Sequence, residues 1–193
     1  MLEKTSWSYF AFIGTGTILF LILIGIVLSP TYNFFTIFNL GRAISGALLV
    51  PYFIYLAIFL KSKGYNDLNR VEEMYILVLI SGVIAAISLT AGGIFTMQAA
   101  PLIHIVAGAL FNFRIVFLCF FCGYIEYSNP EIPNKYAISG FLIAPLPIIF
   151  MILFLLTNFM GFSEDIMFFF EWLSFFAFIG WIITQGIYTL NNK

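Results

Sequence analysis

The chain has 193 residues, of which 62% are hydrophobic and 9% are charged. Soluble globular proteins contain roughly a quarter charged residues, so this composition excludes a soluble protein and predicts an integral membrane protein. The formal net charge of −1 also argues against a nucleic-acid partner, because binding to a phosphate backbone needs a concentrated basic surface.

Six long apolar segments follow one another along the chain. Each has roughly 18 to 25 residues, the length that an α-helix needs to cross a hydrocarbon core about 30 Å thick. We therefore predict an all-α fold, a bundle of six transmembrane helices that forms a single domain over residues 1–193. The predicted spans are residues 9–29, 43–61, 74–92, 101–123, 137–157 and 167–190. The residues before the first span carry no small-residue cleavage site, so we expect this span to be retained.

The basic residues predict the orientation of the bundle, because short loops rich in lysine and arginine stay on the cytoplasmic side. With the N-terminus inside, six basic residues fall on the inner side and only Arg42 falls on the outer side. We therefore predict cytoplasmic N- and C-termini and a location in the cell membrane. The six inner residues are Lys4, Lys61, Lys63, Arg70, Lys135 and Lys193.

The polarity of residues 31–41 predicts where the second span begins, and Gly123 predicts where the fourth span ends. Residues 31–41 are aromatic and half polar, so we predict that they lie in the outer interface and that the second span begins at Arg42. The fourth span is predicted to end near Gly123. Residues 124–136 then form a turn-rich cytoplasmic loop.

Prolines and paired glycines mark three further positions. The third span is predicted to end at Gly92 and Gly93. Pro101 suits the first turn of the fourth span, because its missing N–H would have no partner there. Pro145 and Pro147 predict a bend in the fifth span.

A short internal similarity links the second and fifth spans. Residues 43–51 and 137–145 agree at six of nine positions. These spans cross in opposite directions, as they would in a duplicated three-helix unit of inverted topology, an arrangement found in transporters. Apolar segments also resemble one another by chance, so a small-molecule transporter is one alternative.

Three ionisable residues, Arg42, His104 and Glu171, are predicted near the outer ends of their spans. An ionisable side chain inside a bilayer costs roughly 2.5 to 3.5 kcal/mol on insertion scales, so each needs a compensating role. If the second, fourth and sixth spans are neighbours, these groups meet at similar depth. We predict a ligand-binding site formed by His104, Glu171, Arg42, Gln98 and Trp172.

A simpler interpretation of the same residues stays open. In it, Arg42 contacts lipid phosphates independently of the other two groups. Glu171 then lies in the interface, where the dipole at its helix N-terminus stabilises a carboxylate.

Other polar residues of the fourth span are interpreted structurally. Arg114 is predicted to pair with Thr184 or Gln185, or to reach cytoplasmic headgroups by snorkelling. Cys119 and Cys122 have the Cys-x-x-Cys spacing, but they lie in the last turns of a helix on the reducing side, whereas a redox pair depends on a helix N-terminus. We interpret them as small apolar core residues or as acylation sites.

No cofactor and no metal site is predicted. The single histidine cannot supply a bis-histidine haem or a histidine-rich metal centre within one chain. No lysine lies in the middle of a predicted span, where it would carry a retinal Schiff base.

The order of several features in the second half of the chain resembles a known family. These are a glycine-containing third span, a phenylalanine near its outer end, a histidine followed by small residues, and a Glu-Trp pair at the start of the sixth span. The residues are Phe95, His104, Ala107, Gly108, Ala109, Phe111, Glu171 and Trp172. Over residues 70–185 the chain resembles the Frag/DRAM/Sfk group of six-helix membrane proteins. It is also similar to a related prokaryotic family of unknown function, in which Gly-x-Phe-Pro precedes the histidine, although Thr96 stands here in place of that proline.

The resemblance implies a membrane protein linked to lipid remodelling, lipid distribution or the homeostasis of organelle membranes. It transfers no catalytic mechanism. Only His104, Glu171 and Trp172 correspond to family positions, so Arg42 gains no support from it.

We therefore predict a protein that binds, senses or helps to remodel membrane lipid through a polar cluster in the outer leaflet, with lipid as its partner. One alternative is an intramembrane enzyme acting on lipid, with His104 as general base and Glu171 orienting it. The transporter is the other alternative. Assembly into a homo-oligomer is also left open.

Overall fold

The computed structural model describes residues 4–28, 33–63 and 69–192. Within these residues the chain forms seven α-helices and no strand. The helices are α1 (Lys4–Leu28), α2 (Phe34–Lys63), α3 (Asn69–Ile94), α4 (Pro101–Ser128), α5 (Asn134–Ile143), α6 (Pro145–Met160) and α7 (Glu164–Asn191). Predictions that involve Thr31, Lys193 or residues 64–68 fall outside the described residues.

Six helical segments of the described residues are long and apolar enough to cross a membrane. The fifth consists of α5 and α6 together, Asn134–Met160, and each of the others lies within a single helix. Large apolar side chains cover the outside of the bundle; Leu102, Met160 and Phe159, for example, are 74%, 76% and 82% exposed. Such a surface suits contact with lipid chains rather than with water. The prediction of an all-α, six-helix membrane protein is confirmed.

The six spans form a closed ring. Each span packs against the one before it and the one after it, and α7 packs against both α6 and α1. The connections are short, so neighbouring spans run antiparallel. Aromatic side chains fill the centre: the ring centroid of Phe178 on α7 lies 6.4 Å from that of Phe53 on α2 and 5.7 Å from that of Phe111 on α4.

The ring has two ends, which carry different connections. We call the end with the connections 95–100 and 161–163 the His104 end, and the end with the connection 129–133 the Glu126 end. The predicted orientation places the His104 end outside the cell. It places the Glu126 end in the cytoplasm, together with Lys63 and Lys135.

Glycines let α3 pack with its backbone directly against α2. A Cβ atom added at Gly93 would collide with the carbonyl oxygen of Asn39 and with the backbone of Ala43. One added at Gly46 would lie 2.6 Å from the backbone nitrogen of Thr90. Small residues that allow this approach drive helix association in membranes, where the hydrophobic effect does not act between helices.

The second span begins earlier than the sequence predicted. α2 starts at Phe34, so residues 34–41 of the predicted interfacial segment 31–41 belong to its first turns. This part packs on α1, where a Cβ atom added at Gly25 would lie 2.9 Å from the Phe34 ring. Packing against α1 therefore continues the helix through the segment. Arg42 consequently lies eight residues, or about 12 Å, from the start of the helix rather than at its first residue.

The fourth span ends later than predicted. α4 continues to Ser128, because Gly123 packs against the backbone of α5 instead of ending the helix. The helix ends before Pro130, since a proline disfavours the helical conformation in the residue that precedes it. Asn129 is accordingly extended, with φ −106° and ψ 111°. Glu126 therefore belongs to the helix and not to the predicted cytoplasmic loop.

Other predicted ends agree with the structure. α3 ends at Ile94, directly after the paired glycines, and Pro101 occupies the first turn of α4. The helix of the fifth span is interrupted at Ala144, just before Pro145, where the prolines predicted an irregularity. Gly161 ends α6 with a φ of 67°, which a residue without a side chain adopts without strain.

The similarity between residues 43–51 and 137–145 does not extend to packing. Gly46 packs against α3, whereas the matching Gly140 packs against the carbonyl oxygen of Cys119 on α4. In an inverted repeat of three spans, the counterpart of α3 is α7 and not α4. The matching glycines therefore contact helices that do not correspond, which argues against a repeat.

Two neighbouring glycines provide a test of the contact between α2 and α3. We expect Gly93→Ala to lower the midpoint of thermal unfolding, because its methyl group would displace the α2 backbone, a misfit that costs about 1–3 kcal/mol. Gly92→Ala should unfold close to the wild-type midpoint, since the atom that it meets is the far end of the Arg42 side chain, which can shift to another rotamer without moving the backbone. Tryptophan fluorescence during heating in detergent measures both midpoints. Equal midpoints for the two variants would contradict the close contact.

Candidate functional site

Arg42 lies half-buried on α2, with its guanidinium group against Gly92 of α3. A Cβ atom at position 92 would collide with Nη2 of the arginine, so the glycine provides the space that the guanidinium occupies. Cζ also lies 5.7 Å from the ring centroid of Phe38, within the range of a cation–π contact. Among the described residues Arg42 has no hydrogen-bond or ion-pair partner. Its donors therefore remain available.

His104 lies in the first turn of α4 and holds the connection that precedes it. Its Nδ1 makes a hydrogen bond of 2.8 Å with the carbonyl oxygen of Phe95, and its backbone nitrogen donates one of 3.0 Å to the carbonyl oxygen of Ala100. A carbonyl oxygen only accepts, so Nδ1 carries the proton of this bond, and Nε2 makes no hydrogen bond within the described residues. One ring nitrogen therefore has a structural role, and the other is left for a ligand.

Glu171 lies on the exposed side of α7, and its carboxylate interacts electrostatically with both Arg42 and His104. In the part of the chain that the structure describes, no ion pair or hydrogen bond joins these three side chains. The structure thus brings together the three ionisable residues that the sequence singled out, from α2, α4 and α7, without placing them in direct contact.

The two other predicted site residues differ in their surroundings. Trp172 is half-buried, and its ring centroid lies 5.1 Å from that of Phe38, the residue that also contacts Arg42. Gln98 is exposed in the connection before α4, and its side chain has no hydrogen-bond partner among the described residues. The structure therefore joins Trp172 to the ionisable residues but does not join Gln98 to them. We call Phe38, Arg42, His104, Glu171 and Trp172 the His104 cluster.

The geometry gives little support to the two alternative functions. A histidine that acts as general base with a carboxylate is joined to it by a hydrogen bond of about 2.6–3.2 Å, whereas His104 is hydrogen-bonded to Phe95 and not to Glu171.

A transporter needs a polar cavity near the middle of the membrane. The cavity at the centre of the ring has a volume of about 10 Å³ and is lined mainly by apolar residues, so it holds one water molecule at most.

Arg114 is separate from the His104 cluster, and its predicted pairing is wrong. The hydroxyl of Thr184 donates a 2.9 Å hydrogen bond within its own helix, and Gln185 lies beside Glu126 instead. Arg114 has its Cζ 5.9 Å from the ring centroid of Phe113, and its Nε is buried without a partner in the described structure. Arg114, Thr184 and Gln185 therefore contact different neighbours.

Cys119 and Cys122 are free thiols, and both are fully buried. Acylation of a cysteine needs access to its sulfur atom. The structure therefore favours the interpretation of these residues as apolar core residues over the interpretation as acylation sites.

A second polar cluster, which the sequence analysis missed, lies at the Glu126 end. Glu126, Gln185 and Tyr52 are fully buried, and neither carboxyl oxygen of Glu126 has a hydrogen-bond partner in the described structure. Thr189 approaches Tyr52, and the hydroxyl oxygen of Ser8 lies 3.1 Å from that of Thr189. We call these five residues the Glu126 cluster.

A signal for the Glu126 cluster is present in the sequence. Glu126 follows Cys122 by four residues and Cys119 by seven, which places the three side chains on one face of a helix. Because the fourth span is predicted to end near Gly123, Glu126 falls in the predicted loop. The helical spacing of Cys119, Cys122 and Glu126 therefore does not appear in the prediction.

Comparison with known proteins identifies no relative. No protein-family model, no curated protein and no solved structure matches the chain. The resemblance to the Frag/DRAM/Sfk group therefore rests on His104, the Glu171-Trp172 pair and their neighbours alone.

The hydrogen bond between His104 and Phe95 provides a test of how the connection 95–100 is held. We expect His104→Ala to speed hydrogen exchange of the backbone amides in this connection by about two- to tenfold, because it removes a hydrogen bond worth about 1 kcal/mol. Gln98→Ala is the matched control, since Gln98 lies in the same connection, and it should leave exchange unchanged. Hydrogen-exchange mass spectrometry in detergent measures both. Equal exchange in the two variants would show that the histidine does not hold the connection.

Proposed function

We propose that this integral membrane protein binds the headgroup of a zwitterionic phospholipid in the His104 cluster, and that it senses or helps to remodel membrane lipid through this contact. The proposal rests on Arg42 and Glu171, two opposite charges that interact electrostatically without forming an ion pair. A zwitterionic headgroup carries a phosphate and an ammonium group joined by a short linker. It therefore offers one partner to each of the two side chains.

The guanidinium of Arg42 is suited to the phosphate. Its planar fork of donors binds phosphate oxygens through two parallel hydrogen bonds. The space beside Gly92 and the ring of Phe38 restrain the group on two sides. A restrained side chain loses less conformational freedom on binding than a free one, which favours affinity.

The carboxylate of Glu171 is suited to the ammonium group. It is exposed, so a lipid reaches it without any rearrangement of the bundle. Nε2 of His104 makes no hydrogen bond within the described residues and accepts from an N–H donor when the ring is neutral, and the ring of Trp172 attracts cations to its face. These three groups favour the positively charged part of a headgroup over an additional anion.

Apolar side chains at the His104 end are suited to the acyl chains. Leu102 at the start of α4 and Phe159 and Met160 at the end of α6 are all largely exposed. They cover the outside of the bundle at the end that carries the polar cluster. A lipid whose headgroup lies in the cluster can therefore lay its chains along an apolar surface.

The proposal places the bound lipid in the outer leaflet of the cell membrane. The excess of lysine and arginine on the opposite side supports this orientation. The resemblance to the Frag/DRAM/Sfk group, which implies a role in lipid remodelling or distribution, supports the same class of function.

Lipid retention by charge variants tests the proposal. We expect Arg42→Gln to lower the occupancy of both phosphatidylethanolamine and phosphatidylglycerol about tenfold, because hydrogen bonds to charged groups contribute about 1.5–3 kcal/mol. Glu171→Gln should lower the occupancy of phosphatidylethanolamine alone, since phosphatidylglycerol has no ammonium group. Native mass spectrometry of the protein with each lipid added in detergent measures the occupancy.

Two further variants act as controls for these measurements. Lys135→Gln removes a positive charge at the Glu126 end, where Nζ lies over the ring of Tyr136, and should retain both lipids at the wild-type level. Gly92→Ala displaces the guanidinium of Arg42 without removing its charge, and should lower the occupancy of both lipids. Wild-type occupancy in both Arg42→Gln and Glu171→Gln would refute the proposal.

A further inference from the structure

Glu126 is the only charged residue that is buried among the described side chains. It is fully buried, and neither of its carboxyl oxygens has a hydrogen-bond partner within the described residues. An isolated carboxylate in an apolar interior is very unfavourable, so buried carboxyl groups are either paired with a positive charge or neutralised. Some positive charge is therefore required at this position.

No basic residue supplies that charge among the side chains that the structure describes. The polar group beside the carboxyl is the amide of Gln185, which is uncharged. Two lysines at the same end lie over aromatic rings instead: Nζ of Lys63 is 6.0 Å from the ring centroid of Phe59, and Nζ of Lys135 is 5.1 Å from that of Tyr136.

The titratable groups that face the carboxyl are tyrosines and cysteines, which are uncharged at neutral pH. Glu131, on the connection after α4, interacts with Tyr188 but not with Glu126. The remaining polar group, Ser8 on α1, reaches the cluster through Thr189 and does not titrate. The facing groups are Tyr52 on α2, Cys119 and Cys122 on α4, and Tyr188 on α7.

The Glu126 cluster is rich in oxygen atoms that can surround a cation. It contains one carboxylate, one amide oxygen and three hydroxyl groups, which belong to Glu126, Gln185, Tyr52, Thr189 and Ser8. Such oxygens are the ligands that hard cations prefer. A single carboxylate balances a single positive charge. The described residues hold no group of three His, Cys, Asp or Glu side chains that could bind a metal ion. The single negative charge of Glu126 therefore favours a monovalent ion over a divalent one.

We propose that the Glu126 cluster binds one monovalent cation, a proton or Na⁺, and that this charge holds α1, α2, α4 and α7 together at the Glu126 end. With a proton, Glu126 becomes a neutral acid whose O–H donates to the amide oxygen of Gln185. With Na⁺, the carboxylate, amide and hydroxyl oxygens coordinate the ion. Both cancel the buried negative charge. The site is independent of the His104 cluster at the opposite end.

Thermal unfolding of the wild type and of Glu126→Gln in two series tests the proposal. The first series raises Na⁺ at a fixed alkaline pH, with choline keeping the ionic strength constant. If Na⁺ binds, the wild-type midpoint rises by about 5 °C at an ion concentration of 100 times Kd, and the variant does not respond.

The second series raises the pH in the absence of Na⁺. If a proton binds, the wild-type midpoint falls as the pH rises, because the unfolded carboxyl releases its proton above an ordinary pKa of about 4.3 while the folded site has to keep it. The wild type then shows no response to Na⁺ in the first series. The unfolding midpoint of Glu126→Gln changes with neither the Na⁺ concentration nor the pH.

Glu131→Gln is the matched control, because it removes an exposed carboxylate at the same end and should respond as the wild type does. Responses that persist unchanged in Glu126→Gln, or a wild type that responds to neither Na⁺ nor pH, would overturn the proposal.

If Glu126→Gln does not fold, infrared spectra of the wild type test the proposal instead. A carboxylic-acid C=O band that persists at alkaline pH, or that disappears when Na⁺ is added, supports the site; a carboxylate spectrum insensitive to both overturns it.

Discussion

The direct contact between the backbones of α2 and α3 determines much of the arrangement at the His104 end. Gly46 and Gly93 allow the two helices to approach until backbone atoms of one helix contact the glycines of the other. The glycine next in sequence, Gly92, faces the guanidinium of Arg42 rather than the α2 backbone. Adjacent residues thus set both the distance between two helices and the position of a charged group. A wider helix spacing would leave Arg42 without the pocket that restrains it.

The two polar clusters differ in a way that follows from their burial. At the His104 end, opposite charges lie on separate helices, and Glu171 is exposed. At the Glu126 end, one carboxyl is enclosed by uncharged groups from α2 and α7. The aromatic centre around Phe178 lies between these ends. An open site with separated charges suits a large amphiphilic ligand, whereas an enclosed site with one charge suits only a very small ion.

The sequence predicted the number of spans well, because crossing a bilayer demands a length and a polarity that few other structures share. It predicted helix ends less well, since these depend on packing that the sequence does not display. Gly123 was assigned to a helix end but packs against α5, and Phe34 was assigned to the interface but packs against α1. The approach of His104 to Glu171 could be expected from their positions along their spans. The burial of Glu126 could not, because it depends on where α4 ends.

Ser8 and Thr189 are 181 residues apart in the sequence, yet their hydroxyl oxygens are separated by 3.1 Å. The helices that carry them, α1 and α7, close the ring. During synthesis α4 reaches the membrane before α7 does, so Glu126 is inserted before Gln185 and Thr189 are available to surround it. Until α7 arrives, the carboxyl faces water, lipid or the insertion machinery. The burial of Glu126 is therefore completed only when α7 is made, and a chain interrupted before α7 exposes a carboxyl group that the complete ring encloses.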